Sequence, residues 1–203
     1  MKIILIILFL ATNCFAAGRY VVPARQVVLD EFYKLLLGEV GKVELTGHND
    51  GVHIVGYNEA VLGRNVCPKC AYCTSGPVSL QIKSVKNLGL PKSEVPLKIT
   101  ALAITTYNDA KKRGHKVAFI PKFLDHLIWN IRGTSSGHFE TIVDARNGVI
   151  VKTIGFNTSV PIKKFKNQTA RNGGGNGYKY RSIFDSIGRL AVYGIVGYEV
   201  KTT

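Results

Sequence analysis

Two histidines on either side of a polar turn are the residues of this chain best placed, by type and spacing, to do chemistry. Asp125-His126-Leu127-Ile128-Trp129 precedes the turn Arg132-Gly133-Thr134-Ser135-Ser136-Gly137, and His138-Phe139 follows it. If the flanking runs form a hairpin or a tight pair of elements, both imidazoles end near the same sheet edge. Near neutral pH one imidazole accepts a proton while the other, still protonated, donates one, which suits cleavage of RNA by its own 2′-hydroxyl. Such a reaction also wants a cation beside the pentacoordinate phosphorus. Lys163, Lys164, Lys166, Arg171, Lys179 and Arg181 form a basic tract able to supply it, with no metal obligatory. The plainer reading of each part is structural: a strand-end histidine is usually a hydrogen-bonded filler, and a lysine-rich loop is usually solvated.

Other polar groups make weaker patterns. Asn172-Gly173-Gly174-Gly175-Asn176-Gly177 lacks the preceding strand, following helix, lysine and hydroxyl of a phosphate-cradling loop, and reads as a flexible linker. His48 and His53 border a turn, and His115 ends a basic run that reads as solvated surface. Cys67-Pro68-Lys69-Cys70-Ala71-Tyr72-Cys73 holds three thiols, an odd number, so one short-range bridge with a leftover thiol is the plain expectation. Zinc with His48 or His53 as a fourth ligand, and a redox Cys-x-x-Cys, are the alternatives.

The elements that must position these groups divide the chain into unlike halves. Apolar residues at helical spacing over 23–38, closing at Gly38, predict one amphipathic helix. Lys42–Leu45 and Val52–Tyr57 read as strands around the turn Asn49-Asp50-Gly51, and Val78–Ile82 and Leu97–Leu102 as further strands. Tyr107–Gly114 suggests one or two polar helical turns. In the second half, Phe123–Ile131, Phe139–Val143, Val149–Ile154 and Leu190–Val200 read as strands, with Asn147-Gly148 as a hairpin turn and a long loop from Pro161 to Gly177. The expectation is an α+β fold of two small lobes built on antiparallel sheets with few helices, spanning 18–115 and 116–203.

Residues 1–17 read as a cleavable secretion signal: Met1-Lys2, an uncharged run from Ile3 to Leu10, and small residues near Ala16 and Ala17 for cleavage. The apolar run is shorter than the roughly 20 residues that span a bilayer, so stable membrane insertion is not expected. A secreted, extracellular or periplasmic, protein follows, and a lipoprotein modified at Cys14 is the main rival. The formal net charge is +14, from 27 basic and 13 acidic residues, and loss of the leader removes only Lys2. Such an excess favours polyanions such as RNA, DNA, acidic glycans or anionic lipid, without choosing among them.

Four blocks in order carry a resemblance. Phe123–Trp129, Ser136-Gly137-His138, Lys179-Tyr180-Arg181-Ser182-Ile183-Phe184 and Ala191-Val192-Tyr193-Gly194-Ile195-Val196 are similar to the ordered blocks of the EndoU family of uridylate-preferring endoribonucleases, over about residues 120–198. The resemblance implies that His126 is the acid that protonates the leaving 5′-oxygen and His138 the base that activates the 2′-hydroxyl. Lys179 would stabilise charge, and Ser182 and Tyr193 would contact or stack on uracil, a sequence-tolerant use of tyrosine on single-stranded RNA. Asp125 stands where the family often has Glu. The implied activity is cleavage 3′ of uridine to a 2′,3′-cyclic phosphate, with no required cofactor. A response to manganese is implied by the resemblance only, and a neutralising or inhibitor protein is the second class of partner to consider. The alternative is a non-enzymatic secreted basic protein that binds an anionic glycan, nucleic acid or membrane surface through the same charge.

Overall fold

The computed structural model describes residues 17–160 and 174–201. The expected leader, apart from Ala17, and Lys163, Lys164, Lys166 and Arg171 of the basic tract lie outside the described residues. The elements in chain order are β1 (Gly18–Ala24), α1 (Gln26–Leu37), α2 (Val52–Leu62), α3 (Ser75–Asn87), α4 (Ala103–Arg113), β2 (His115–Val117), β3 (His126–Asn130), β4 (Gly137–Asp144), β5 (Ile150–Thr158), β6 (Gly175–Ser182) and β7 (Ala191–Val200). They form an α+β fold around one seven-stranded mixed sheet ordered β2-β1-β7-β3-β4-β5-β6, in which β1 runs parallel to β7 and the other pairs are antiparallel.

The boundary expected between 18–115 and 116–203 does not divide the sheet. Strand β1, which the sequence reading absorbed into the first helix and its approach, lies along β7 from Gly18↔Gly194 to Ala24↔Val200. The chain then enters α1, whose buried Val28, Leu29, Phe32 and Leu36 form its core-facing stripe. Below the helices, Phe32, Leu36, Ile54, Tyr57, Leu80, Ile154 and Phe156 make one cluster, and Val78, Ala103, Tyr107, Ile128, Phe139 and Val196 a second. The opposite face of the sheet carries Leu127, Trp129, Ile142, Val151, Ile183 and Ile195, with Phe119, Ile187 and Leu190 packed against it.

Four stretches expected as strands behave otherwise. Val52–Tyr57 belongs to α2, where Ile54, Tyr57 and Asn58 are the buried positions, a helical spacing that the alternation of Val52, Ile54 and Gly56 concealed. Val78–Ile82 belongs to α3, buried nearly all round its first two turns. Its small polar residues mimic strand alternation but satisfy themselves inside: Ser79 and Ser84 donate to the carbonyls of Gly76 and Leu80, and Gln81 Oε1 accepts from Leu97 N–H at 3.2 Å. That last bond uses the backbone of the third stretch, Leu97–Leu102, which runs as irregular chain into α4. Lys42–Leu45 contributes one isolated bridge, Val43↔Gly175. Instead of linking two strands, Asn49-Asp50-Gly51 closes a loop through Asp50, which accepts from Thr46 N–H and Oγ1. The second-half strands fall where the alternation put them, while Gly175–Gly177, expected in a linker, belongs to β6.

A buried ion pair ties the added strand to the centre. Arg19 of β1 donates through Nε to Asp125 Oδ2 at 2.7 Å and through Nη2 to Oδ1 at 3.1 Å, reaching across β7 to the residue ahead of β3. Gly197 of β7 makes the crossing possible, because a Cβ there would lie 2.2 Å from Asp125 Oδ1. Arg19→Met, which strands the buried carboxylate, is expected to cost about 3–5 kcal/mol in urea unfolding, and Arg19→Met combined with Asp125→Leu to recover most of that loss.

Candidate active site

The hairpin β3–β4 forms as expected, but it separates the two histidines. The register pairs His126 with Thr141 and Trp129 with His138, so alternation puts His126 and His138 on opposite faces of the sheet. His126 faces the helices and is fully buried, stacked on Phe139 with 4.5 Å between ring centroids. Its Nδ1 meets Thr141 Oγ1 at 3.1 Å and its Nε2 the Tyr198 hydroxyl at 2.5 Å. Burial alone holds its pKa down to about 3, so it is a neutral core histidine and carries no proton to a leaving group near neutral pH. The expected pairing of His126 with His138 on one phosphate is therefore corrected: sheet pleat, not loop length, keeps them apart.

The remaining expected residues scatter. Ser182 is at the end of β6, opposite Ile150, where its Oγ accepts from Phe184 N–H at 3.2 Å. Tyr193 occupies the irregularity in β7 opposite Ile128 and Trp129 and packs edge-on against Tyr107 at 4.8 Å. Lys179 does join His138: Thr153↔Lys179, Val151↔Arg181 and Glu140↔Gly155 put His138, Glu140, Thr153, Lys179 and Arg181 on one face.

What meets His138 is the thiol read as a leftover. Cys67 and Cys70 form the expected short-range disulfide, which removes both as zinc ligands, and Cys73 is left free and buried. Cys73 lies in the first turn leading into α3, where Gly76 N–H donates to Tyr72 O at 2.9 Å and Val78 N–H to Thr74 O at 3.1 Å. Pro77 fits there because it has no N–H to leave unsatisfied at a helix start. Gly76 lets that helix end press onto the sheet, since a Cβ would stand 2.2 Å from Phe156 Cδ1.

The sheet opens to receive the turn. The β4–β5 ladder ends at Glu140↔Gly155, and Asn157, with φ 50°, turns β5 beyond it. Tyr72 and Cys73 enter where the strands part: the Tyr72 hydroxyl donates to Glu44, and Cys73 Sγ lies 3.8 Å from Gly137 O. The next residue on β4 is His138.

Glu140 fixes the imidazole. His138 Nε2 meets Glu140 Oε1 at 2.9 Å, so Nδ1 is the nitrogen left for the thiol. Arg181 holds the carboxylate by two bonds, Nε to Oε2 at 2.9 Å and Nη2 to Oε1 at 2.5 Å, and Thr153 Oγ1 donates to Oε2 at 2.6 Å. Gly155 leaves room for the carboxylate, because a Cβ would lie 2.9 Å from Oε1. Burial would raise the pKa of Glu140, but Arg181 and His138 overcome it and hold it at about 2. Burial would lower that of His138, but hydrogen bonds and charges of Cys73 and Glu140 lift it to about 9. Burial would raise the Cys73 thiol, and its hydrogen bond and charge interaction with His138 bring it below the ordinary value instead. A thiol of lowered pKa, an imidazole of raised pKa and an orienting carboxylate thus stand in series, an arrangement that can activate a nucleophile through its base and the base's holder. The N-terminal end of α3, where helix N–H groups carry partial positive charge, adds to the stabilisation of the thiolate.

The sequence signal for this site was present but faint: one cysteine outside the pair, followed by Thr74-Ser75-Gly76-Pro77 and an apolar run, with a histidine far along the chain. Spacing carries no information about a contact made across 65 residues, from Cys73 to His138.

Two measurements separate the histidines. Iodoacetamide should alkylate Cys73 at a lower pH than it alkylates an ordinary thiol, and His138→Ala should move that reactivity up towards the ordinary thiol range. His126→Gln should leave alkylation at neutral pH unchanged and lower the melting temperature. The folded chain keeps His126 neutral down to about pH 3, whereas the unfolded imidazole binds a proton below about 6.5, so stability is lost as pH falls through that window. The variant should therefore show a flatter acid limb in its unfolding profile. Set beside family models, curated proteins and solved structures, the chain matches none, and the reading of this site rests on its own geometry.

Proposed function

We propose that this chain is a thiol-dependent hydrolase that cleaves amide bonds through an acyl-enzyme formed on Cys73. The observation that carries the reading is the series Cys73, His138, Glu140, in which the imidazole touches the carboxylate at 2.9 Å and shares charge with the thiol. The Cys73 thiolate adds to the carbonyl carbon, and the new oxyanion is favoured by the partial positive charge at the start of α3. His138, protonated, gives its proton to the departing nitrogen as the carbon–nitrogen bond breaks, leaving a thioester. The neutral imidazole then takes a proton from water, whose oxygen attacks the thioester, and the carboxylic acid leaves as Cys73 returns to the thiolate. An amide, more than a thioester, needs that proton donor, because an amine leaves poorly as an anion. Glu140 keeps the ring oriented and stabilises its charged form, and Arg181 and Thr153 keep Glu140 in place.

The reading takes the protein as exported, because the Cys67–Cys70 disulfide three residues from the thiol suits an oxidising compartment. Uridine-directed RNA cleavage needs a second titrating imidazole beside His138, and the buried His126 does not serve; with the basic surface alone, RNA or another polyanion would be a bound partner.

Incubation with p-nitrophenyl acetate tests the nucleophile without knowledge of the natural substrate. The wild-type chain should release a burst of p-nitrophenol and gain one acetyl group at Cys73 by mass. Cys73→Ala should show neither, and His138→Ala should slow acylation by about 10²–10⁴-fold. A burst equal in Cys73→Ala, or cleavage of a uridine-containing RNA oligonucleotide that survives the Cys73 substitution, would sink the proposal.

A further inference from the structure

Five charged groups share the neighbourhood of the thiol, and they do not balance. Cys73 and Glu140 carry negative charge, while His138, Arg181 and Lys179 carry positive charge. Arg181 is committed, with two of its nitrogens on Glu140. Lys179 is not: among the described residues its partners are the Ser159 carbonyl and Ser159 Oγ, the latter at 3.3 Å, and no carboxylate pairs with it. It feels Glu140 only through space, and burial together with Arg181 pushes its pKa down. Its side chain is partly buried while its ammonium lies on the exposed side, and among the described residues no carboxylate pairs with it on the face that carries His138 and Glu140.

The ammonium is also aimed. Lys179 pairs in register with Thr153, yet its tip is held by Ser159, just past the end of β5. That end of β5 lies beyond the last β4–β5 pair, Glu140↔Gly155, at the end of the sheet where β4 begins with Gly137 and His138 and where Cys73 reaches Gly137 O. Ser159 thus draws the charge towards the nucleophile's end of the sheet.

Resting on the reading of Cys73 as the nucleophile, we infer that the site prefers acyl groups bearing a carboxylate, which Lys179 binds. The acyl side follows from charge. The leaving amine must take up a proton from His138, and a fixed ammonium beside it would oppose that step, whereas an anion on the acyl group meets Lys179 throughout both half-reactions. The wider surface agrees, since a chain of net charge +14 draws anionic substrates towards it.

Mono-p-nitrophenyl glutarate and p-nitrophenyl valerate differ in ending the same carbon chain with a carboxylate or a methyl group, so their ratio reads the charge alone. The full chain should be acylated with a kcat/KM at least about tenfold higher for the glutarate, the lower end of the range of a hydrogen bond to a charged group. Lys179→Gln should bring the ratio towards unity through KM for the glutarate, Lys179→Arg should keep most of it, and about 0.5 M salt should shrink it. Equal kcat/KM values in the wild type, or a glutarate preference that survives Lys179→Gln, would overturn the inference while leaving Cys73 as nucleophile. Failure of both esters to acylate Cys73 would remove the nucleophile reading and this inference together.

Discussion

Glu140 is fully buried, and a carboxylate taken out of water costs several kcal/mol unless cations and hydrogen-bond donors meet it. Three strands are arranged around that requirement. Strand β4 supplies His138, two residues back on the same face; β5 supplies the Thr153 hydroxyl and the missing side chain of Gly155; β6 supplies the fork of Arg181. Removing any one donor would leave the charge short of a partner, so the network constrains the register of the central antiparallel strands as strongly as the apolar contacts do. The charge state of the imidazole follows from it, because a permanent anion on Nε2 favours the protonated ring.

The thiol is brought to that imidazole by a different constraint, close approach. Helix α3 packs its first turn against Phe156 because Gly76 has no side chain to hold it off, and the ladder between β4 and β5 stops where the turn arrives. The residues that enter the opening bring their own partners: Tyr72 donates to the buried Glu44 at 3.1 Å, and Cys73 Sγ reaches Gly137 O. Further back, Asn58 binds the carbonyls of Pro68 and Cys70 and receives the Ser75 hydroxyl, so the disulfide loop and the helix start are laced together. The Cys67–Cys70 bridge stiffens the approach to Cys73 and acts on the geometry of the site from outside it.

The two faces of the sheet divide the labour. The helix-facing side holds the larger apolar clusters, and its buried polar groups, His126 among them, are bonded within the core. The other side places Arg181 and His138 against Trp129 of the opposite-face apolar cluster, with the indole 5.8 Å from both the imidazole and the guanidinium. An aromatic wall beside two cations lowers local dielectric without adding charge, which strengthens each interaction of the network.

The sequence by itself determined the α+β class, the first helix, the second-half strands and the short disulfide, because these depend on periodicity and spacing within a few residues. It also drew attention to His138, for its place beside a polar turn, and to Lys179, through the basic tract and the resemblance. It misread 52–57 and 78–82 as strands, because helices buried on several sides lose their amphipathic stripe and small polar residues then imitate alternation. Which histidine meets a thiol and a carboxylate was decided only by tertiary structure: a twelve-residue separation sets two residues near one hairpin, but the pleat decides which face each takes. The partner of His138 was out of reach for the same reason. Cys73 meets it through a helix packed across a sheet, and such long-range contacts follow from the closing of the core, which no local pattern encodes.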